Sequence, residues 1–249
     1  MAWVSRLNQA LDEGRLELRC QMIAPLSAEA ELDGLHYEIL LSMQNDDGSL
    51  ISPGEFMQAA ERYNRMQAVD RWVIENVLRW MAVNPEKLAM LGGFSINLSG
   101  HSLNDEGLME FIFQQFSQYD VQRSKLCFEV TETTAIANLA DAADFIREMK
   151  RIGCKFALDD FGAGMSSYAY LKNLPVDFIK IDGSFIKNLD KDKADYAMVK
   201  SIHEMAKLLG KATIAEYVEN QAILECLREI GVDFVQGYEI EKPRLLSGL

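Results

Sequence analysis

At 249 residues and 49% hydrophobic content, the chain is long enough to bury a large core as one domain of α/β-barrel size. Its formal charge of −13 repels a nucleic-acid backbone and excludes long DNA or RNA as a partner, leaving a small anionic ligand admissible if metal ions supply positive charge. There is no run of about eighteen apolar residues, no signal-like start and no CxxC pair among Cys20, Cys127, Cys154 and Cys226, so direct membrane insertion, secretion and structural zinc are disfavoured, and reduced thiols in a cytoplasmic setting are expected.

The chain opens on a short lead-in helix over residues 3–12, followed by two β-rich runs at 16–23 and 35–41 and a polar turn at 45–49. Helical patterning then covers 53–63 and 68–81, a strand falls at 94–98 and a helix at 106–118. The remaining strands are expected at 126–131, 155–159, 178–181, 212–215 and 233–236, with helices at 140–152, 194–209 and 221–230 between them. Gly153, Gly210 and Gly231 stand where helices must end on a residue tolerant of positive φ. Eight strands alternating with helices predict a TIM-like (β/α)8 barrel, and no Pro-rich or Ser-rich linker divides it.

Polar and charged residues occur where the apolar strands run out. Glu38 interrupts Tyr37-Glu38-Ile39, Asn97 ends Phe-Ser-Ile-Asn, Glu129 sits in Cys-Phe-Glu-Val, and Asp159 and Asp160 follow Phe-Ala-Leu. Lys180 lies within Phe-Ile-Lys-Ile-Asp, and Glu216 follows Thr-Ile-Ala. In a barrel, strand C-termini converge on the face that carries chemistry. So many carboxylates together repel one another unless cations bind, and an all-oxygen donor set without a histidine cluster favours Mg2+ or Mn2+ over zinc. The adjacent pair Asp159-Asp160 suits a bridge between two ions and a two-metal displacement at phosphorus. Lys180 reads equally well as a fixed charge beside a scissile phosphate or as a salt-bridge partner of a neighbouring carboxylate.

These segments, in this order, resemble the EAL family of cyclic di-GMP phosphodiesterases. Tyr37–Leu41 is similar to the family signature in an Ile39 variant, Asn97 stands in an Asn-Leu-Ser segment, and Glu129-Val-Thr-Glu132 resembles the E-x-T-E segment. Asp159-Asp160-Phe-Gly-Ala-Gly-Met-Ser-Ser167 is close to the family's long loop, and Lys180-Ile-Asp182, Ala215-Glu216-Tyr-Val-Glu219 and Gln236-Gly-Tyr238 complete the series. The resemblance runs over residues 3–243.

It implies a barrel with one antiparallel strand, the first, and hydrolysis of cyclic di-GMP to linear pGpG in bacterial control of motility and biofilm. It also implies two metal ions, Mg2+ or Mn2+, with Ca2+ inhibitory: Glu38, Asn97, Glu129 and Asp159 would hold one, and Asp159, Asp160 and Glu216 the other. Glu38, Lys180 and Glu216 are the implied catalytic residues, with Glu216 helping to activate water and Lys180 orienting water or phosphate. Gln21, Leu41, Ser42, Asp182, Glu219 and Gln236 are the implied substrate contacts, and Glu132 the anchor of the loop at 161–167. The family setting further implies a homodimer and a single EAL domain taken from a larger protein, with a GGDEF, PAS or sensor segment upstream and the parent anchored in an inner membrane. Besides Ile39, which replaces the middle alanine of the signature, Ser42 stands where many relatives carry a ligand-contacting arginine, Tyr217 where glycine is usual, and Met22 where a proline often follows Gln21. Ser42 cannot supply the charge or fork geometry of arginine, which leaves open a catalytically weak domain that only binds cyclic di-GMP. A different barrel phosphohydrolase is the more distant alternative.

Overall fold

A computed structural model describes residues 2–26, 34–45, 47–51, 53–163 and 170–249. The strands are β1 (Leu16–Pro25), β2 (Leu35–Gln44), β3 (Leu50–Ile51), β4 (Leu91–Leu98), β5 (Leu126–Thr131), β6 (Lys155–Phe161), β7 (Phe178–Ile181), β8 (Ala212–Ala215), β9 (Phe234–Val235) and β10 (Arg244–Leu245). The helices are α1 (Ala2–Glu13), α2 (Pro53–Arg62), α3 (Met66–Val83), α4 (Pro85–Ala89), α5 (Gly100–Leu103), α6 (Leu108–Gln118), α7 (Glu132–Ala137), α8 (Leu139–Arg151), α9 (Gly183–Ile186), α10 (Lys193–Leu208) and α11 (Gln221–Ile230).

The sheet runs β10-β1-β9-β8-β7-β6-β5-β4-β2-β3 and is closed by an additional β1–β2 pairing, so eight strands form a barrel and the two-residue β3 and β10 lie outside it. β1 is antiparallel to β2 and to β9, while every pairing from β2 and β4 round to β8 and β9 is parallel. The expected barrel and its reversed first strand are therefore present. All eight barrel strands fall on runs expected from the sequence. The two short flanking strands and the short helices α4, α5, α7 and α9 were not expected, because elements this short carry no periodicity.

Local chemistry fixes the helix ends. Asp192 caps α10 by accepting from the backbone N–H groups of Ala194 and Asp195, and Asn220 caps α11 by accepting from that of Ile223. Gly231 ends α11 at φ +91°, and Gly153 and Gly210 take the same left-handed role after α8 and α10. The outward strand faces and the helices share one large apolar core, in which Trp80 packs edge-on against Phe94 and Phe145 against Phe156. The barrel interior is separate: Ile23, Cys127, Ala157, Phe178, Ile214 and Phe234 fill its floor. With the floor packed, apart from the hydrogen-bonded pair His36 and Ser95, the charged side chains gather at the end where the parallel strands terminate.

Candidate active site

The seven charged and amide side chains singled out at strand ends do converge. Lys180, fully buried, lies at the centre: its Nζ is 2.6 Å from Glu129 Oε2, 2.9 Å from Glu216 Oε1, 3.2 Å from Asp159 Oδ1 and 3.3 Å from Glu38 Oε2. Glu38 is held further by Asn97, whose Nδ2 donates to Oε1 at 2.7 Å, and by Gln236, whose Nε2 donates to Oε2 at 2.7 Å. Gln236 Nε2 also donates to Gln21 Oε1 at 3.2 Å, and Gln21 donates in turn to the Glu241 carbonyl at 2.9 Å.

Strand alternation sends consecutive side chains to opposite faces, so Asp159 and Asp160 need a break in the pleat to act together. The break is there: between Leu158 and Phe161 the β6–β7 register gains one residue, and Asp160 takes φ +53°. One carboxylate oxygen from each of Asp159, Asp160 and Glu216 then falls within 4.8 Å of the others.

Five carboxylates thus face one lysine, and the imbalance marks their protonation. Burial pushes Glu129 up to about 8, against the pull of Lys180. Glu216 is raised well above the carboxylate range, by burial first and the neighbouring carboxylates after it. Asp160 is raised by burial and by Asp159. For Glu38 the upward push of burial is outweighed by Lys180, Gln236 and Asn97, which hold it below the usual range. Lys180 is driven well above its ordinary value, because the four carboxylates outweigh its burial.

Glu129 Oε1 is buried and has no hydrogen-bond partner. An acceptor left bare in the interior costs on the order of 1–3 kcal/mol unless something electropositive meets it. With the surplus of negative charge and the all-oxygen donor set, this fits hard divalent cations.

A cleft of about 430 Å3 opens above these groups, lined by Gln21, Glu38, Leu40, Glu216, Tyr217, Glu219, Gln236 and Tyr238 among others. A second cleft of about 410 Å3 adjoins it, sharing Leu40, Pro53 and Pro243 and adding Arg19, Leu41, Ser42, Leu50 and Ile51. Of the six residues expected to contact substrate, Gln21, Glu219 and Gln236 line the main cleft and Ser42 the adjoining one, where its Oγ donates to the Glu17 carbonyl at 3.4 Å. Leu41, turned away from Glu38 by alternation along β2, packs with the cluster of Leu7, Ala60 and Met66 and lines the adjoining cleft and a further pocket that includes Asn97; Leu40 lines the main cleft beside Glu38. Counting by twos from Glu38 finds Leu40. Asp182 caps α9, accepting from the backbone N–H of Ser184 at 2.9 Å.

Glu132 is buried at the start of α7 and accepts from the Gly162 backbone N–H at 3.1 Å and from the Tyr170 hydroxyl. These contacts flank the expected loop, whose residues from Gly164 onward lie outside the described residues. Tyr217 adopts φ +55° and lays its ring over Gly183, where an added Cβ would meet Tyr217 Cδ2 at 2.3 Å. The glycine at 183 accommodates the bulk at 217.

Comparison with known proteins gives a consistent picture. The EAL domain profile matches residues 4–243. The chain is 42% identical over 245 residues to cyclic di-GMP phosphodiesterase PdeB of Shewanella oneidensis, and 38% identical over 246 residues to cyclic di-GMP phosphodiesterase PdeF of Escherichia coli. These alignments take in 98% and 99% of this chain but 28% and 32% of those proteins, so the chain spans about a third or less of their length. Among solved structures, the PaMucR phosphodiesterase in complex with c-di-GMP superposes with a TM-score of 0.91 at 29% identity, covering 100% of this chain and 99% of that one. The FimX EAL domain from Pseudomonas aeruginosa bound to c-di-GMP does so at 0.89 and 28%, covering 98% and 96%.

Proposed function

The chain belongs to the EAL domain family, and on that premise we propose that it is a metal-dependent phosphodiesterase domain that hydrolyses cyclic di-GMP to linear pGpG. The observation that carries this reading is the ring of Glu38, Glu129, Asp159 and Glu216 around Lys180 at the mouth, with Asp160 beside it and Glu129 Oε1 left bare. In this reading Asp159, Asp160 and Glu216 hold one divalent ion, and Glu38, Asn97, Glu129 and Asp159 hold a second, both Mg2+ or Mn2+. Bound ions supply Lewis-acid stabilisation of the phosphoryl oxygens and lower the pKa of an attacking water.

The chain's own groups then divide the remaining work. Asn97 and Gln236 fix the Glu38 carboxylate by a hydrogen bond to each of its oxygens. Glu216, ionised once cations displace its proton and lying at the mouth of the cleft, takes the proton from the attacking water. Lys180 keeps a fixed positive charge within reach of the developing negative charge. As the new P–O bond forms the P–O3′ bond breaks, and the 3′ oxygen takes up a proton from solvent as it leaves, while the proton on Glu216 returns to solvent. Gln21, Glu219, Gln236 and the rims at Tyr217 and Tyr238 supply the polar and aromatic lining on which a guanine nucleotide is positioned.

Further parts of the same reading are inhibition by Ca2+, which tolerates longer and less regular coordination than Mg2+, and a homodimer. The chain is then a single EAL domain of a larger cytoplasmic or membrane-anchored signalling protein with GGDEF, PAS or sensor segments upstream. No helix of the described residues is long and apolar enough to cross a membrane.

The test is incubation of the purified chain with cyclic di-GMP and Mg2+ or Mn2+, following pGpG by chromatography beside a Glu38→Ala variant and a chelator control. Metal-dependent product, lost in the variant, is expected. Tight binding without product would replace the enzyme by a cyclic di-GMP receptor, and neither binding nor product would overturn the substrate assignment.

A further inference from the structure

Cyclic di-GMP carries two phosphates, and the acidic centre accounts for one. The main cleft contains no lysine or arginine among its described lining residues, and the adjoining cleft contains Arg19 alone. The lysines nearest the main cleft are committed elsewhere: Lys180 to four carboxylates, Lys187 to the face of Tyr217 at 4.5 Å, and Lys242 to that of Tyr238 at 5.7 Å. From these facts, and resting on the function proposed above, we propose that Arg19 binds the phosphate of the cyclic dinucleotide that is not being cleaved.

Four observations support the assignment. Arg19 is half-buried on β1 opposite Leu40, two residues from Gln21, so it shares the inward row of β1 with a residue of the main cleft. Its Nη2 donates to the Pro243 carbonyl at 3.1 Å, which pins the guanidinium at the shared wall of the two clefts and leaves its other N–H groups for a ligand. No described carboxylate pairs with it, on a chain with 38 acidic residues against 25 basic ones; Glu17, the acid on its own strand face, receives Gln44 Nε2 at 2.7 Å instead. An arginine without a counter-ion in a partly buried cleft of an acidic protein has the planar fork that matches phosphate oxygens. Finally, Ser42 lies in the same cleft on the neighbouring strand, in register with Glu17, and carries no charge. Arg19 supplies from β1 the cation that β2 lacks.

Steady-state hydrolysis by wild type, Arg19→Ala and Arg19→Gln should be compared on cyclic di-GMP and on bis(p-nitrophenyl) phosphate, which has only the scissile phosphate. The expected result is a KM for cyclic di-GMP raised roughly 10- to 100-fold with kcat little changed. Hydrolysis of bis(p-nitrophenyl) phosphate should stay at the wild-type rate, and adding Ser42→Arg to Arg19→Ala should recover the lost affinity. Arg19→Gln keeps a donor for Pro243 and covers the case in which the alanine variant does not fold. An unchanged KM in the variants, with wild type active, would overturn the assignment of Arg19 and leave the enzyme reading standing. Equal losses on both substrates would overturn it too, by showing that Arg19 only shapes the mouth. A wild type that neither binds nor hydrolyses cyclic di-GMP would remove the functional reading and this inference with it.

Discussion

The floor and the mouth of the barrel are built on the same strands, two residues apart, and have opposite chemistry. Cys127 lies below Glu129 on β5, Ala157 below Asp159 on β6, and Phe178 below Lys180 on β7. Ile214 precedes Glu216, and Phe234 precedes Gln236. On β1 the order is reversed, Gln21 then Ile23, because that strand runs the other way. One pleat step along the barrel axis thus separates an apolar plug from a surplus of negative charge. The floor stabilises by burial; the mouth, without cations, carries a repulsion that the rest of the fold must offset.

The sharpest way to break this contrast is at Lys180. Lys180→Met leaves four buried carboxylates without their shared cation, and turnover of cyclic di-GMP should fall by about 10^2- to 10^3-fold. The metal-free variant should also be destabilised, by about 3–5 kcal/mol, with part of the loss restored by millimolar Mg2+ in a urea titration. A Lys180→Met protein as stable and as active as wild type would show that the lysine is a bystander.

At the floor the expectation is the converse. Phe178 packs edge-on against Phe234 with ring centroids 5.9 Å apart, and Phe178→Ala opens a cavity costing about 3–5 kcal/mol. Turnover per folded molecule should be nearly unchanged. If kcat fell as steeply as stability, the two layers would not be separable in the way their chemistry suggests.

The smallest expected effect concerns His36, the floor-level residue two before Glu38, whose Nε2 lies 2.9 Å from Ser95 Oγ. Burial lowers its pKa to about 3 from an ordinary 6.5. It is neutral in the folded chain, whereas the unfolded chain takes up a proton below pH 6.5, so its contribution is complete above that pH and is lost as pH falls from 6.5 toward 3. At pH 5 the loss is about 2 kcal/mol. His36→Gln should flatten the dependence of urea midpoints on pH between 7.5 and 5, and an unaltered slope would assign the acid sensitivity to other groups.

Much of this contrast is legible in the sequence, because a charged residue two places after an apolar one near the end of a β-rich run marks both the barrel layer and its face. Glu129, Lys180 and Glu216 are found by that signal alone, and Glu38, which follows His36 at the same interval, by its charge inside an otherwise apolar run. The pairing of Asp159 with Asp160 is not, since alternation would separate them; it depends on the extra residue in β6 and the positive φ of Asp160. The place of Leu40 beside Glu38 was available from the same alternation, although the resemblance singled out Leu41 and not Leu40. Arg19 was invisible because its meaning lies in what surrounds it: the carbonyl of Pro243 at the far end of the chain, no paired carboxylate among the described residues, and a cleft shared with β2. The contact of Glu132 with Tyr170 likewise joins segments whose spacing has no periodic signature.

The most direct test of the central claim, that the mouth is a divalent-metal site and the floor is not, is a count of Mn2+ bound per chain by calorimetry at pH 8, with wild type beside Asp159→Asn. The account predicts two ions for wild type, protons released as Glu129 and Glu216 give up theirs, and loss of tight binding in the variant. Wild type that binds no Mn2+, or binds it equally well after Asp159→Asn, would contradict it.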